Sequence, residues 1–177
     1  MTISGIKVLE TDRLILRRLT VDDAPFILAL LNDPAWIKYI GDRGVRTIDD
    51  ARANILNVHI ATYERLGFGF YLTERKSDGA PIGLCGLIHR EGLEDVDIGF
   101  ALLPDFRAGG YASEAALAVM AYANNNLKLT RIVGITSHDN VSSIKLLEKI
   151  GLKFERMVTL PKIENEVMLF AWQTKNT

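Results

Sequence analysis

One short segment of the sequence carries the residues best suited to bind an anion. In LPDFRAGGYASEA, Arg107 supplies a permanent positive charge, and Gly109 and Gly110 leave the backbone bare before a long alanine-rich helix. The first four amides of a helix lack partners within it, and the helix dipole adds partial positive charge there. A phosphate group fits such a helix start. A tight turn that only connects two elements is the other interpretation of the two glycines.

Two common phosphate-binding motifs are absent around these glycines. A Walker loop needs a lysine and a hydroxyl residue after its second glycine, whereas Tyr111 and Ala112 follow Gly110. A dinucleotide-binding fingerprint needs three spaced glycines within a βαβ unit, and they are not present. The pattern therefore predicts a phosphate cradle of another kind.

The segment DVDIGFALL carries the candidate for proton transfer, Asp97. Alternation along a strand places Asp97 on one face together with Gly99 and Ala101. A carboxylate beside two small residues can overlook a ligand slot and accept a proton there. The alternative is an aspartate on a solvated strand face.

Other reactive side chains do not form a site in the sequence. Cys85 and His89 are four residues apart on a predicted strand, so about 13 Å separates their backbones. We therefore expect Cys85 to be a core thiol. His59, His89 and His138 lack the spacing of zinc ligands, and no metal site is predicted.

The elements that must position these residues follow from turn residues, helix caps and apolar periodicity. Thr20 and Thr47 are predicted to cap two helices, Gly110 precedes a third and Asn140 a fourth. Segment 35–46 reads as irregular. Runs rich in β-formers predict strands at 13–19, 68–75, 81–89, 95–103, 131–137, 152–160 and 165–173. The order β-α-α-β-β-β-α-β-α-β-β indicates an α+β (mixed α/β) fold, with a largely antiparallel sheet of about seven strands and helices on both faces.

Composition limits the classes of protein that fit. The 177 residues are 48% hydrophobic and 24% charged, which predicts a single globular domain over residues 1–177. A formal net charge of −1 does not favour direct nucleic-acid binding. One cysteine, no signal-peptide pattern and no apolar run long enough to span a membrane lead us to expect a cytoplasmic protein.

Three segments of the chain resemble the GNAT superfamily of acyl-CoA N-acyltransferases. Arg107-x-x-Gly110-x-Ala112 matches its R/Q-x-x-G-x-G/A pyrophosphate motif. DIGFALLPDFRAGGYASEA, ETDRLILRRLTVDDA and HDNVSSIKLLEKIGLKFE are similar to segments of its RimJ/RimL-type (ribosomal-protein N-acetyltransferase-like) branch. The resemblance covers about Glu10 to Trp172 and implies the GNAT fold, with acetyl-CoA as acyl donor and no metal.

The resemblance also implies roles for individual residues around the acyl donor. The pyrophosphate would lie on the amides of Arg107, Ala108, Gly109, Gly110, Tyr111 and Ala112. The pantetheine arm would lie in a splay between the strand ending at Leu102 and the strand of Arg131 to Thr136. An amide near Ala101 or Leu102 would polarise the thioester carbonyl.

Four further residues receive roles from the same resemblance. Asn140 would contact the pantetheine arm, although an asparagine there also suits a helix cap. Ser143 would lie near the thiol and assist the thiolate, or be an ordinary serine of a first helical turn. Leu147 occupies the position where many relatives carry a tyrosine acid, so that acid is not expected here. Asp97 matches the acidic position that serves as a base in some members.

The amine acceptor remains open at this level. Trp36, Tyr39 and Arg43 fall in the region that borders the acceptor site in the family, and at least one of the two aromatic residues is expected to pack under the loop. A protein N-terminal amine is the expected acceptor. The alternatives are a small-molecule or antibiotic acetyltransferase and a non-catalytic acyl-CoA-binding protein. The sequence is silent on oligomeric state, with a homodimer among the forms left open.

Overall fold

An eight-stranded mixed sheet organises the chain in the computed structural model, which describes residues 5–175. Its spatial order is β1-β2-β3-β4-β5-β6-β8-β7. The strands are β1 Lys7–Glu10, β2 Leu14–Arg17, β3 Phe70–Arg75, β4 Ala80–Ile88, β5 Asp97–Leu102, β6 Arg131–Thr136, β7 Lys153–Val158 and β8 Val167–Gln173. Only β5 and β6 pair in parallel; every other neighbouring pair in this sheet is antiparallel.

Six α-helices and a π-helical turn connect the strands. They are α1 Ala24–Leu31, α2 Pro34–Tyr39, α3 Ile48–Asn54, the π-helical turn Ile55–Ile60, α4 Ala61–Leu66, α5 Tyr111–Asn125 and α6 Val141–Lys149. The predicted α+β class, with a mostly antiparallel sheet between helices, is confirmed. Two elements were missed: the edge strand β1, and α2, which occupies the first half of the segment read as irregular.

Local sequence signals explain where the helices begin and end. Thr47 Oγ1 accepts from the Asp50 amide at 3.0 Å, and Asp50 Oδ2 accepts from the Thr47 amide at 3.0 Å, so a capping box starts α3. Gly67 ends α4 with φ of 78°, a left-handed value that favours glycine. The capping signals therefore place the second predicted helix well, while the π-helical turn inside it has no such signal.

The hydrophobic core differs between the two faces of the sheet. One face carries a continuous cluster from β2 to β8, which α5 and α6 cover. The opposite face carries two separate clusters, one over β3 and β4 under α1 and α3, the other over β6 and β8. β5 contributes no fully buried residue to either of these two clusters. Ala101 of β5 is only partly buried against the first cluster, so the apolar layer is thinner over β5 than over its neighbours.

None of the helices within residues 5–175 is both long enough and apolar enough to cross a membrane.

Candidate active site

The parallel strands β5 and β6 separate almost as soon as they meet. Their single paired position joins Asp97 to Val133, and the Val133 amide donates to the Val96 carbonyl at 2.9 Å. Beyond this point β5 continues to Leu102 without a partner on its β6 side. The result is a V-shaped opening in the sheet, as expected for the place of an extended ligand arm.

Backbone alternation decides which amides line this opening. The Val96 carbonyl faces β6, whereas the Leu103 amide donates to Ile82 of β4 at 2.9 Å. Even-numbered residues of β5 therefore face β6, and odd-numbered residues face β4. Of the two amides expected to polarise a carbonyl, that of Leu102 faces the opening, whereas that of Ala101 faces β4. The amide of Phe100 lines the opening as well.

The loop before α5 has the geometry of an anion cradle. Ala108 and Gly110 have φ of 64° and 79°, so left-handed residues enclose Gly109. Such turns direct neighbouring amides toward one point. No acceptor within residues 5–175 takes a hydrogen bond from the amides of residues 108–113. A ligand with several acceptor oxygens can accept hydrogen bonds from these amides. A pyrophosphate is such a ligand, so the loop fits the group that the sequence predicts here.

Arg13, a residue about a hundred positions away in the sequence, borders the cradle. Its Nη1 donates to the Gly109 carbonyl at 3.1 Å, and its Nε binds Glu114 at 2.7 Å. The guanidinium also lies 4.3 Å from the centre of the Tyr111 ring. The positive charge of Arg13 thereby offsets the negative charge of Glu114 in the first turn of α5. Sequence reasoning missed it, because only the pairing of β2 within the sheet brings it here.

Lys149 supplies a second cation beside the same helix start. Its Nζ donates to Ser113 Oγ at 3.2 Å, and Ser113 is buried in the first turn of α5. Lys149 closes α6, so its place depends on how α6 packs against α5. No motif in the sequence indicates that packing.

Arg107 does not direct its charge into the cradle, contrary to the expectation that it would serve as the cation there. Its Nη2 binds Asp33 at 2.5 Å and the Leu102 carbonyl at 3.0 Å. Asp33 is buried, so it holds the guanidinium against the end of β5. The side chain of Arg107 therefore fixes the loop. Its amide donates to the Pro104 carbonyl at 3.2 Å, so the unbonded amides of the cradle begin at Ala108 and the predicted contact of the Arg107 amide with the pyrophosphate is not supported.

Asp97 is buried rather than solvated, so the alternative of a wet strand face is excluded. It is 1% exposed; its Oδ2 accepts from Arg90 Nε at 2.9 Å, and its buried Oδ1 has no partner within residues 5–175. Burial raises the pKa of the Asp97 carboxyl to about 6, against the opposing charge and hydrogen bond of Arg90 and a smaller effect of the Ile135 backbone. A carboxylate with one unpaired oxygen and such a pKa can accept a proton at neutral pH.

The face that Asp97 shares with Gly99 is bounded by aromatic side chains. A Cβ at Gly99 would lie 2.6 Å from the Phe70 ring, so the glycine makes room for that ring. His59, in the π-helical turn, packs edge-on against Phe70 with ring centroids 6.4 Å apart. It is buried, which lowers its pKa to about 4 and keeps the imidazole neutral.

Asn140 and Ser143 lie at the start of α6, where the chain leaves β6. Asn140 Oδ1 accepts from the Ser143 amide at 3.3 Å, so the capping interpretation of Asn140 holds. Ser143 is half-buried, and its hydroxyl has no partner within residues 5–175. Leu147 is buried against Gly134, so no acid occupies the position of the family tyrosine.

The two aromatic candidates, Trp36 and Tyr39, both lie on α2 but differ in burial. Trp36 packs in the cluster under α1 and α3, which makes it the residue expected to pack under the loop, while Tyr39 is exposed. Lys38 contacts Asp139 at 3.6 Å, beyond the end of β6. Because Asp33 binds Arg107 beyond β5, α2 bridges the two sides of the V-shaped opening.

Comparisons with known proteins agree with this geometry. A family model described as an acetyltransferase (GNAT) domain matches residues 13–153. Over 153 residues the chain is 32% identical to a protein of Bacillus subtilis (strain 168) named uncharacterized N-acetyltransferase YoaA, and the match covers 84% of each chain.

Two solved structures share the fold. RimL, a ribosomal L7/L12 alpha-N-protein acetyltransferase in complex with coenzyme A, aligns with a TM-score of 0.78 and 20% identity, covering 94% of this chain and 97% of that one. The microcin C7 self-immunity acetyltransferase MccE, in complex with acetyl-CoA and AMP, aligns with a TM-score of 0.79 and 19% identity, covering 98% of each.

Proposed function

Because the chain belongs to the GNAT family of acetyltransferases, we propose that it transfers the acetyl group of acetyl-CoA to a primary amine in one ternary complex. The main support for this proposal is the position of two features along β5. Asp97 is the first residue of the strand, and the cradle of unbonded amides follows its last residue. The strand between them extends about 17 Å at 3.3 Å per residue. This suits a donor whose phosphates and reactive end lie far apart.

Different residues of this chain bind the donor, stabilise the oxyanion and accept the proton. The amides of residues 108–113 bind the pyrophosphate, and the amides of β5 that face the opening contact the pantetheine arm. Of these, the Phe100 amide lies nearer to Asp97 than the Leu102 amide does, and it stabilises the oxyanion. In the transfer, the amine nitrogen bonds to the acetyl carbon, the C–S bond breaks, and coenzyme A leaves as a thiolate. Asp97 Oδ1 takes the proton from the nitrogen, directly or through water. The Ser143 hydroxyl or solvent stabilises the thiolate.

We propose a protein N-terminal amine as the acceptor. Support comes from the three segments that resemble the RimJ/RimL-type branch. It also comes from the mouth of the opening, where α2 and the residue after it expose the apolar side chains of Ile37, Tyr39 and Ile40. A polypeptide can cover such a surface, whereas a small polar amine gains little from it.

A panel of amines tests this choice. Short peptides with free N termini, polyamines and aminoglycosides would be incubated with acetyl-CoA, with thiol release and product mass as readouts. We expect turnover on peptides. Turnover on an aminoglycoside but on no peptide would contradict the acceptor class, and acetyl-CoA binding without turnover on any amine would favour a non-catalytic acyl-CoA-binding protein.

A further inference from the structure

The ion pair between Arg90 and Asp97 uses only part of each side chain. Arg90 Nε donates to Asp97 Oδ2 at 2.9 Å, and no other side-chain atom of Arg90 has a partner within residues 5–175. The carboxylate side chain is 2% exposed and the arginine side chain 28%. Arg90 thus binds one oxygen of Asp97. The other oxygen is buried and makes no hydrogen bond of normal geometry, although the backbone of Ile135 on β6 lies close enough to lower the pKa of the carboxyl.

The loop that carries Arg90 is fixed by packing. Leu93 donates its amide to the Arg90 carbonyl at 3.1 Å and is buried in the cluster over β6 and β8. A Cβ at Gly92 would lie 2.7 Å from Pro161, so this loop lies against the β7–β8 loop. Arg90 therefore approaches Asp97 from a defined direction.

The other charged groups on the surrounding elements have partners or lie apart from Asp97. Arg131 of β6 binds Asp95 and Glu155, each at 2.9 Å, and Glu91 of the Arg90 loop binds Lys162 of the β7–β8 loop at 3.1 Å. His89, after β4, is exposed, and His59 packs on Phe70 from the helical side. Arg90 is the charged group that forms an ion pair with Asp97.

We propose that Arg90 is a positioning residue for the acetyl transfer: its Nε anchors Oδ2 of Asp97 and leaves Oδ1 to take the proton of the amine. This rests on the proposed function. The anchor holds Oδ2 and leaves Oδ1 unbonded at the residue where β5 and β6 separate. The charge of Arg90 also offsets part of the effect of burial, so that the carboxyl is ionised at neutral pH.

The first test follows the ionisation of Asp97 directly and needs no acceptor. Carbon-13 NMR of the carboxyl groups would be titrated in the wild type, Arg90→Met and Arg90→Lys, with Asp97→Asn to assign the resonance. We expect the pKa of Asp97 to rise by about one unit or more in Arg90→Met, because an opposite charge is lost. Arg90→Lys should restore most of the wild-type value. Arg156→Met, which removes an exposed arginine of β7, should leave it unchanged.

The second test uses the most active amine of the panel. The acidic limb of the pH profile of kcat/KM should move up with the NMR-detected pKa in Arg90→Met and return in Arg90→Lys. An unchanged Asp97 pKa in both Arg90 variants would overturn the ion pair itself. A shifted pKa with an unmoved acidic limb would show that Asp97 is not the base, and so overturn the positioning role. Failure of every amine would instead overturn the proposed function, and the role of Arg90 with it, while the NMR result still reports on the pair.

Discussion

At Asp97, burial and charge act in opposite directions on the same carboxyl. Burial raises its pKa to about 6, and the guanidinium of Arg90 limits that rise. A base of this pKa is mostly ionised at neutral pH, yet holds a proton more readily than an ordinary aspartate. The Asp97 carboxyl is therefore ionised at neutral pH and is more basic than an ordinary aspartate.

Asp97→Asn should separate binding from chemistry. The amide cannot take a proton from the amine, so we expect kcat to fall about a hundredfold to ten-thousandfold. Affinity for acetyl-CoA should stay within about twofold, because the cradle lies at the other end of β5. Steady-state kinetics and calorimetric titration with acetyl-CoA measure the two quantities.

Asp95→Asn is the matched control for this change. Asp95 lies two residues earlier and also forms an ion pair with an arginine, Arg131, but its side chain is half-buried where that of Asp97 is fully buried. Its substitution should leave kcat nearly unchanged. Equal losses in both variants would indicate a structural effect of charge near β5 and contradict the assignment of Asp97 as the base.

Residue types and spacing predicted where some residues of the candidate site lie in the fold. The shared strand face of Asp97 and Gly99 and the position of Gly110 before α5 could be predicted, because strand alternation and helix starts depend on nearby sequence; the roles of these residues stay predictions. Arg13 and Lys149 were missed, because tertiary packing brings them to α5. The prediction that the Arg107 side chain provides the cation of the cradle was wrong for the same reason, because its partner Asp33 is distant in the sequence.

At the scale of elements, α2 depends on one aspartate at its start. Asp33 Oδ2 accepts from the Trp36 amide at 3.2 Å, which caps the helix, and the same oxygen binds Arg107. The side chain is 5% exposed. One residue thus joins the helix that bridges the opening to the loop that forms the cradle.

Substitutions at Asp33 should distinguish these two contacts. Asp33→Ala removes the cap and the ion pair, and we expect a loss of about 2 kcal/mol of unfolding free energy, or roughly 4–8 °C in Tm. Asp33→Asn keeps a capping oxygen and should lose only about half as much. Thermal or urea unfolding measures both. A variant pair with equal stability losses would contradict the separate capping contribution.

Element prediction succeeded where local chemistry marks a boundary. Thr47 with Asp50 and Gly67 delimited the second predicted helix, and glycine turns marked the hairpins of β3, β4 and β5. β1 was missed because it has only two adjacent apolar residues between Lys7 and Glu10, whereas β2, of the same length, lies within the longer run 13–19. α2 was missed because six residues give less than two helical turns of periodicity.

At the scale of the whole molecule, two buried groups should oppose each other in the pH dependence of stability. The pKa of Asp97 is raised in the folded state, so its contribution is largest below its unfolded pKa of about 4 and falls as pH rises to about 6. The pKa of His59 is lowered to about 4, so its contribution is present above about 6.5 and is lost as pH falls.

The wild type should therefore show a small net slope from these two groups between pH 4 and 6.5. Asp97→Asn should lose stability on acidification, because the His59 effect of about 3 kcal/mol is then unopposed. His59→Phe should gain stability on acidification by a similar amount. Urea unfolding at several pH values measures the slopes, with Asp95→Asn as control. Parallel slopes in both variants would contradict this account.

The most direct measurement is the calorimetric affinity for acetyl-CoA of the wild type, Gly110→Val and Gly67→Val. The two glycines have nearly the same φ, 79° and 78°, so valine brings similar backbone strain at each. Gly110 starts α5 within the cradle, whereas Gly67 ends α4. Circular dichroism and Tm would confirm that both variants fold.

The wild type should bind acetyl-CoA, and Gly67→Val should match it. Gly110→Val should bind about tenfold more weakly or worse, a loss of about 1.4 kcal/mol or more, because its side chain enters the space of the pyrophosphate. Equal affinity in all three proteins would contradict the cradle, and absence of binding to the wild type would contradict the acetyl-CoA-dependent activity.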